Sequence, residues 1–362
     1  MGDGIAKEVC IEAEKTLNYV KKYYSLPLNI NKFPCGGAHW IDTGEEWPEE
    51  AKDACKESDA ILFGGVGIPE ATLPWGAPAG LNVIFWLRKQ LDLYANVRRI
   101  RPIIEIGQKI SGKYREIYDP DKIDLILVRE NTEDLYTSPR GIQLVRGMVT
   151  ESITDLKICT RRQSQKFIDF AFKLTRKKFP SKERIVTCID KSNVLDSCRL
   201  FRRVFKEIAE NNRDIECNYS YIDNFVLDVL HYPEKYKVCV TSNMYGDIIS
   251  DLFAFFEGGS GVGAASNIGD SIALFEPMHG TKPHLAGKGL ANPMGIHNCI
   301  VLMFEWLADK LDQKLLFEVA DRVKEAMLNT VKEGILPVDL DGNASTHQFS
   351  AELRKRIGEE VR

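Results

Sequence analysis

Short apolar runs of strand length alternate along the chain with longer stretches of helical periodicity. The strand-like runs cover residues 60–63, 125–128, 185–189 and 237–240. Apolar positions three or four apart recur in residues 5–23, 81–91, 163–178, 200–211 and 315–333. Glycine is concentrated in residues 258–269 and 280–289, which indicates loops. Strands and helices that alternate in this way predict an α/β fold.

The run from residue 239 to residue 251 carries the strongest chemical signal. A buried strand turns there directly into a helix, for which Asn243 is a suitable N-cap. Open α/β sheets bind their ligands at such turns. Asp247 and Asp251 are four residues apart, so both carboxylates project from one face of the helix. Two interpretations stay open. The two carboxylates bind a divalent cation such as Mg²⁺ or Mn²⁺, or their charges only complement the positive end of the helix dipole at its N-terminus.

Three arginines lie at the ends of predicted elements. Arg88 ends a helix, Arg98 lies in the segment that follows it, and Arg129 ends the strand-like run at 125–128. A guanidinium group binds a carboxylate through two parallel hydrogen bonds, so the three residues are candidates for an acidic substrate. The alternative is three surface arginines beside unrelated acidic residues.

Three further polar residues are candidates for catalysis or metal binding. Tyr136 is a candidate proton donor, provided that a nearby cation lowers its pKa, and otherwise a half-buried tyrosine. Lys191 comes just after the strand at 185–189, where a lysine beside a metal serves as a base or a proton relay. A surface lysine is the alternative. Asp223 is a possible third metal carboxylate, although an isolated aspartate carries almost no signal.

Two glycine-containing segments have the composition of ligand-binding loops. His279 lies in a glycine-rich loop after a strand-like run, where it is a candidate contact for a nucleotide. The chain has no G-x-G-x-x-G motif after a strand, so a dinucleotide would be bound without the usual Rossmann fingerprint. Residues 2–4, Gly-Asp-Gly, precede the first helix and form either an anion-binding turn or a plain turn.

Composition narrows the class of protein. The chain has 362 residues, of which 44% are hydrophobic and 28% charged, which predicts a large core divided over two domains. A net charge of −4 without a basic stripe argues against nucleic-acid binding. Nine scattered cysteines indicate reduced thiols in the cytoplasm. We expect neither a signal peptide nor a membrane-spanning segment.

These blocks, taken together and in this order, resemble the β-decarboxylating dehydrogenase family, which includes isopropylmalate, isocitrate, homoisocitrate and tartrate/D-malate dehydrogenases. The resemblance runs through almost the whole chain and includes residues 87–98, 128–136, 191–195, 241–251 and 259–292. It implies a two-domain α/β fold of the isopropylmalate dehydrogenase type with a discontinuous large domain. The large domain, on the cofactor side, would comprise residues 1–99 and 258–362. Residues 100–257 would form a small domain with the metal site and the dimer interface.

The resemblance also implies roles for individual residues. Arg88, Arg98 and Arg129 match the arginines that hold the carboxylates of the substrate. Asp223, Asp247 and Asp251 match the ligands of Mg²⁺ or Mn²⁺. Tyr136 and Lys191 match the acid/base pair. In the family Lys191 and Asp223 come from the partner subunit, which implies a homodimer with shared active sites. His279, Gly280 and Asn292 match the adenosine side of the cofactor site, and Asn193 the nicotinamide side.

Within this family, a few positions distinguish which substrate and which cofactor an enzyme uses. The helix that contains Arg88 carries Asn82 and Ile84 where isocitrate enzymes place Ser and Asn on its inward face, and Phe85 follows Ile84. Ile84 and Phe85 cannot hydrogen-bond a third carboxylate, so 3-isopropylmalate is the expected substrate. Isocitrate, homoisocitrate and tartrate or D-malate remain alternatives, as does a non-catalytic regulatory subunit of a heteromeric isocitrate dehydrogenase. His284 occupies the position that separates NAD from NADP users, and we expect NAD, with NADP possible.

The N-terminus departs from the family pattern. Family members carry a short apolar strand before the Gly-Asp-Gly turn, whereas only Met1 precedes Gly2 here. A vacant strand position would leave neighbouring backbone groups unpaired. We therefore expect the native protein to begin upstream of Met1, which intact mass spectrometry of the protein from its native cells would test.

Overall fold

The computed structural model describes residues 1–74, 76–136, 142–146 and 149–359. The helices are α1 (Ala6–Tyr23), α2 (Gly37–Thr43), α3 (Glu49–Glu57), α4 (Leu81–Gln90), α5 (Arg161–Lys178), α6 (Asp196–Glu210), α7 (Ile222–His231), α8 (Asn243–Ala254), α9 (Met294–Leu311), α10 (Lys314–Lys332) and α11 (Thr346–Ile357). The strands are β1 (Ala60–Leu62), β2 (Ala95–Ile100), β3 (Gln108–Ile110), β4 (Lys113–Arg115), β5 (Leu125–Glu130), β6 (Ile142–Arg146), β7 (Val149–Thr154), β8 (Ile185–Asp190), β9 (Glu216–Tyr221), β10 (Val238–Thr241), β11 (Ala264–Ile268) and β12 (Ala273–Pro277).

The chain divides into two compact units. The first, here called the large unit, comprises Met1–Leu91, Pro102–Pro120 and Ala254–Arg362. In it β1 pairs in parallel with β12, and β12 pairs antiparallel with β11. The central helix α9 is buried along most of its length, because apolar side chains surround its axis on almost every side. It packs against β11, β12, α1 and α10, and so forms the core of this unit.

The second unit, here called the small unit, comprises Asp92–Arg101 and Asp121–Phe253. Its sheet has the strand order β2-β5-β10-β8-β9, with β2 antiparallel to β5 and the other pairs parallel. Every residue of β5 and β10 is buried, as expected for central parallel strands with both faces covered. Helices α5 and α6 pack on each other through stacked Phe167 and Phe201 rings, whose centroids are 5.6 Å apart.

Most predicted elements are present. The four strand-like runs correspond to β1, β5, β8 and β10, and the five helical stretches correspond to α1, α4, α5, α6 and α10. The predicted α/β class is confirmed. The role assigned to Asn243 was wrong, because α8 begins at this residue and its side chain binds elsewhere. The domain boundaries at 99/100 and 257/258, with their cofactor, metal and dimer roles, stay predictions. No helix in the described part of the chain is long and apolar enough to cross a membrane.

Candidate active site

A cluster of Arg129, Tyr136 and Asp247 lies in the small unit, at the carboxyl ends of β5 and β10. Arg129 Nη1 donates to Asp247 Oδ1 at 2.5 Å, and the Tyr136 hydroxyl donates to Asp247 Oδ2 at 3.0 Å. Arg129 also donates to Asn243 Oδ1 through Nε at 3.0 Å and Nη2 at 2.6 Å. Parallel strands place their carboxyl ends at one edge of a sheet, which brings together residues far apart in sequence.

A glycine in α8 allows this close packing. A Cβ built on Gly246 would lie 2.5 Å from Arg129 Cγ, closer than any real side chain tolerates. The bare backbone at Gly246 therefore lets the arginine stem lie along the first turn of α8. The Arg129 guanidinium group then reaches Asp247, which follows Gly246 in the same helix.

The charges in the cluster fix which group holds a proton. Burial raises the pKa of Asp247, but Arg129 and the Tyr136 hydroxyl outweigh it and hold that pKa below its ordinary value. Burial and the Asp247 carboxylate raise the pKa of Tyr136, and the opposing effect of Arg129 is smaller. Arg129 is a nearby cation that opposes this rise, as expected, and the effect of a bound metal ion on the pKa of Tyr136 stays a prediction. The geometry combines an ionised carboxylate with a protonated phenol, which is the form that a proton donor needs.

Asp247 and Asp251 lie one turn apart on α8, as the spacing predicted. Their oxygens are hard donors, and the Asp251 side chain is exposed. This donor set fits Mg²⁺ or Mn²⁺, which bind few carboxylates and keep several waters. Within the described ranges of one chain, however, no three acidic, histidine or cysteine residues form a metal-binding group. Asp223 does not join Asp247 and Asp251 in the same copy.

Asp223 instead pairs with Lys191. Lys191 follows β8 and donates from Nζ to Asp223 Oδ1 at 2.5 Å, where Asp223 begins the first turn of α7. This hydrogen bond lowers the pKa of Asp223. The small unit thus carries two separate groups of predicted site residues, the Lys191–Asp223 pair and the cluster around Asp247.

All three predicted arginines are buried, so the interpretation as surface residues was wrong. Arg88, Arg98 and Arg129 are 9%, 7% and 2% exposed. In the large unit, Arg88 Nη2 donates to Glu276 at 3.1 Å, while its buried Nε has no hydrogen-bond partner in the described part of the chain. In the small unit, Arg98 Nε donates to Asn96 Oδ1 at 3.0 Å. A buried guanidinium group is costly unless its donors find acceptors, which makes these residues suited to an anionic ligand.

The residues of α4 that were expected to select the substrate differ in how deeply they are buried. Ile84 is buried and Phe85 half-buried. Asn82 was expected on the inward face, but it is exposed and donates to Glu46 Oε2 at 2.6 Å. Glu46 also accepts from the backbone N–H of Gly80, so one carboxylate holds the start of α4 and binds the Asn82 amide.

The large unit contains a recess with an unpaired imidazole nitrogen. It is lined by Ile5, Gly261, His279, Leu285 and Asn292, among others. His279 is 4% exposed, and burial lowers its pKa. Its Nε2 has no hydrogen-bond partner among the described residues. An unsatisfied buried nitrogen is a suitable contact for a heteroaromatic base such as adenine.

The other predicted cofactor residues differ in burial and in hydrogen bonding. Asn292 is buried, accepts from Met294 N at 2.9 Å and donates to Asp339 Oδ2 at 3.3 Å. The carbonyl of Gly280 lies 3.0 Å from His279 Nδ1 and so fixes the ring. His284 is exposed in the large unit, and Asn193 is exposed in the small unit. His279 and Asn292 line the recess, while the cofactor roles of all these residues stay predictions.

Several proteins that are similar to this chain carry dehydrogenase names. A family model described as isocitrate/isopropylmalate dehydrogenase matches residues 1–353. A 3-isopropylmalate/3-methylmalate dehydrogenase of Methanocaldococcus jannaschii is 36% identical, over 99% of this chain and 98% of its own length. The chain belongs to the isocitrate/isopropylmalate dehydrogenase family. A second member, the homoisocitrate dehydrogenase of Methanocaldococcus jannaschii, is 35% identical over 100% of this chain and 97% of its own. The crystal structure of a third, the isocitrate dehydrogenase of Methylococcus capsulatus, matches with a TM-score of 0.85 at 27% identity, covering 99% of this chain and 98% of that one.

One residue of this family member was missed by sequence reasoning. Asp3 is completely buried, and its carboxylate accepts from the backbone N–H groups of Gly37 at 2.6 Å, Ala38 at 2.9 Å and Gly67 at 2.7 Å. Gly36 has a φ of +109°, and a Cβ there would lie 2.2 Å from Asp3 Oδ2. The Gly-Asp-Gly signal was therefore more than a plain turn, because the aspartate ties together two distant segments of the large unit.

Replacing Asp3 by alanine is expected to lower the free energy of unfolding by about 2–4 kcal/mol, because three buried N–H groups lose their acceptor. Urea denaturation followed by circular dichroism measures the change. The matched control is Asp53→Ala, which removes an exposed carboxylate from α3 of the same unit. Equal stability of the two variants would show that the Asp3 contacts contribute nothing.

Proposed function

We propose that this protein is a metal-dependent oxidative decarboxylase of a 2-hydroxy acid with a 3-carboxylate, and that it transfers hydride to NAD. The observation that carries the proposal is the cluster in which Tyr136 and buried Arg129 both bind the Asp247 carboxylate. It combines a protonated phenol, a fixed cation and an exposed pair of hard oxygen donors within one unit. These are the groups that an acid-assisted decarboxylation of a dicarboxylate requires.

Each group has a proposed role. The guanidinium groups of Arg88, Arg98 and Arg129 bind the carboxylates of the substrate, which are planar and anionic. Asp247 and Asp251, with Asp223 of a second copy, hold Mg²⁺ or Mn²⁺. When bound, the cation supplies a Lewis acid for the substrate hydroxyl and its adjacent carboxylate.

Proton movement is assigned to two side chains. As the neutral amine, formed once its ammonium group has released a proton to solvent, Lys191 takes the proton of the substrate hydroxyl. The nicotinamide of the cofactor supplies the hydride acceptor. Tyr136 keeps its proton at neutral pH because its pKa is raised, and it delivers that proton to the substrate carbon that loses the carboxylate.

A second copy of the chain is the proposed partner. Within one chain the Lys191–Asp223 pair stands apart from Asp247 and Asp251, so a complete set of groups needs another subunit. Apolar side chains on the small unit support an interface: Leu227 on α7 is 61% exposed and Ile248 on α8 is 57% exposed. Exposed leucine and isoleucine on the helices that carry Asp223 and Asp247 are suited to burial against an identical surface.

The proposed substrate carries an apolar group on C3, and 3-isopropylmalate fits best. Ile84 and Phe85 offer no hydrogen bond, and Glu46 occupies Asn82. A third carboxylate beside these residues would lose its hydration without compensation. The name of the 3-isopropylmalate/3-methylmalate relative supports this assignment. Isocitrate, homoisocitrate, tartrate and D-malate are the alternatives.

NAD is the proposed cofactor, and the cytoplasm the proposed location. The 2′-phosphate of NADP needs a fixed positive charge. His284 and Leu285 stand where NADP-dependent members of the family carry Lys and Tyr, which favours NAD.

A panel assay tests the proposed function. With Mn²⁺ and NAD, kcat/KM for 3-isopropylmalate should exceed that for isocitrate by about 100-fold or more, because a site without hydrogen-bond partners rejects an extra charge. Excess EDTA should abolish turnover, and NADP should be the poorer cofactor. A higher kcat/KM for isocitrate or D-malate would refute the assigned substrate. Ligand binding without turnover of any acid would favour the regulatory-subunit alternative.

A further inference from the structure

Asp134 has an unusual backbone conformation for a buried acidic residue. Its φ is +76°, a region that favours glycine, and the residue is 2% exposed. Its N–H donates to the carbonyl of Ile158 at 2.9 Å, which fixes the backbone just before Tyr136. A carboxylate held in this conformation needs contacts that offset both the strain and the desolvation.

The Asp134 carboxylate provides those contacts at the start of α8. Oδ2 accepts from the backbone N–H of Met244 at 2.9 Å, and Oδ1 pairs with the ammonium group of Lys157. Lys157 Nζ also donates to Ser242 Oγ at 3.2 Å. Asp134 therefore performs the capping role expected of Asn243, and it does so from a distant segment. A carboxylate is favoured at this place because the first N–H groups of a helix have no partner within the helix.

These contacts link Asp134 to the two chain segments that carry the partners of the Tyr136–Asp247 hydrogen bond. Tyr136 follows Asp134 by two residues, and Asp247 follows Met244 by three. The Tyr136–Asp247 hydrogen bond, 3.0 Å long, joins the same two segments that the Asp134 carboxylate joins. Any shift of α8 along its axis would thus have to break the Asp134–Met244 contact before it separated Tyr136 from Asp247.

We propose that Asp134, with Lys157, is a positioning residue that sets the place of Asp247 relative to Tyr136. This inference rests on the proposed function, in which these two groups bind metal and deliver a proton. Outer residues that orient ligating carboxylates commonly affect metal affinity or activity by roughly 10- to 100-fold when replaced.

The experiment compares Asp134→Gly, Asp134→Asn and a matched control in the full-length protein. Glycine relieves the backbone strain but removes the cap and leaves Lys157 without its carboxylate partner. Asparagine tolerates a positive φ and keeps an acceptor for Met244. The control, Asp124→Asn, weakens two more exposed ion pairs of the same unit, those of Asp124 with Arg99 and Arg101. Measurements are kcat, KM, urea stability, Mn²⁺ affinity by electron paramagnetic resonance, and hydrogen exchange over residues 242–250.

We expect Asp134→Gly to lower kcat by roughly 10- to 100-fold and to weaken Mn²⁺ binding about tenfold, with KM changed less. Asp134→Asn should recover most of this loss, and Asp124→Asn should lose stability without losing kcat. If Asp134 mattered only for the backbone conformation of its own turn, kcat of Asp134→Gly would equal or exceed kcat of Asp134→Asn. That result would overturn the proposal. If the unmodified protein turns over no acid, the proposed function fails, and hydrogen exchange decides the inference. Unchanged protection of residues 242–250 in Asp134→Gly would then refute it.

Discussion

A hybrid dimer of two inactive variants, Lys191→Ala in one subunit and Asp247→Asn in the other, is expected to regain about half of the wild-type activity. Lys191 lies with Asp223 in one group and Asp247 with Tyr136 in another. If each active site combines one group from each subunit, the hybrid contains one intact site and one doubly altered site. Each homodimer has two damaged sites, and we expect its kcat to fall at least about 100-fold.

Coexpression of two differently tagged chains, followed by tandem affinity purification, isolates the hybrid for steady-state assays. The matched control combines Lys191→Ala with Asp223→Asn. Both changes lie in the same group, so every site of this hybrid is damaged and no activity should return. An inactive first hybrid, or a control hybrid as active as the first, would contradict the shared active site.

Asp247→Asn alone is expected to lower kcat by about 100- to 1,000-fold, while the free energy of unfolding changes by only about 1–2 kcal/mol. The substitution removes the charge that a divalent cation requires and that helps to hold the pKa of Tyr136 above its ordinary value. The structural cost is small because the Asp247 side chain is 45% exposed. Arg129 also keeps its two hydrogen bonds to Asn243.

Steady-state kinetics across a range of Mn²⁺ concentrations and urea denaturation measure the two effects separately. Asp169→Asn on α5 is the matched control, because it removes a helical carboxylate of the small unit outside the candidate site. We expect it to leave kcat unchanged. A kcat for Asp247→Asn within threefold of the unmodified protein would show that this carboxylate has no part in the chemistry.

Local sequence patterns were sufficient to predict four of the strands, five of the helices and the family. Central parallel strands are covered on both faces, so β5, β8 and β10 appear as continuous apolar runs that can be recognised without any structure. The family followed from several spaced blocks in a fixed order, and the match over residues 1–353 confirms it. The i, i+4 spacing of Asp247 and Asp251 also determined their common helix face, because this geometry is local.

Contacts between distant segments were decided only by the tertiary structure. Asn243 was a reasonable N-cap by its residue type, yet the carboxylate that caps α8 belongs to Asp134, 110 positions away. The direction of the pKa shift of Tyr136 depends on burial and on Asp247, neither of which a local pattern contains. The same holds for Asp3, whose three N–H partners lie 34 to 64 residues away. Local periodicity reports which face of an element is buried, whereas hydrogen-bond partners and charges around a side chain depend on how the elements pack, and therefore only the folded chain shows them.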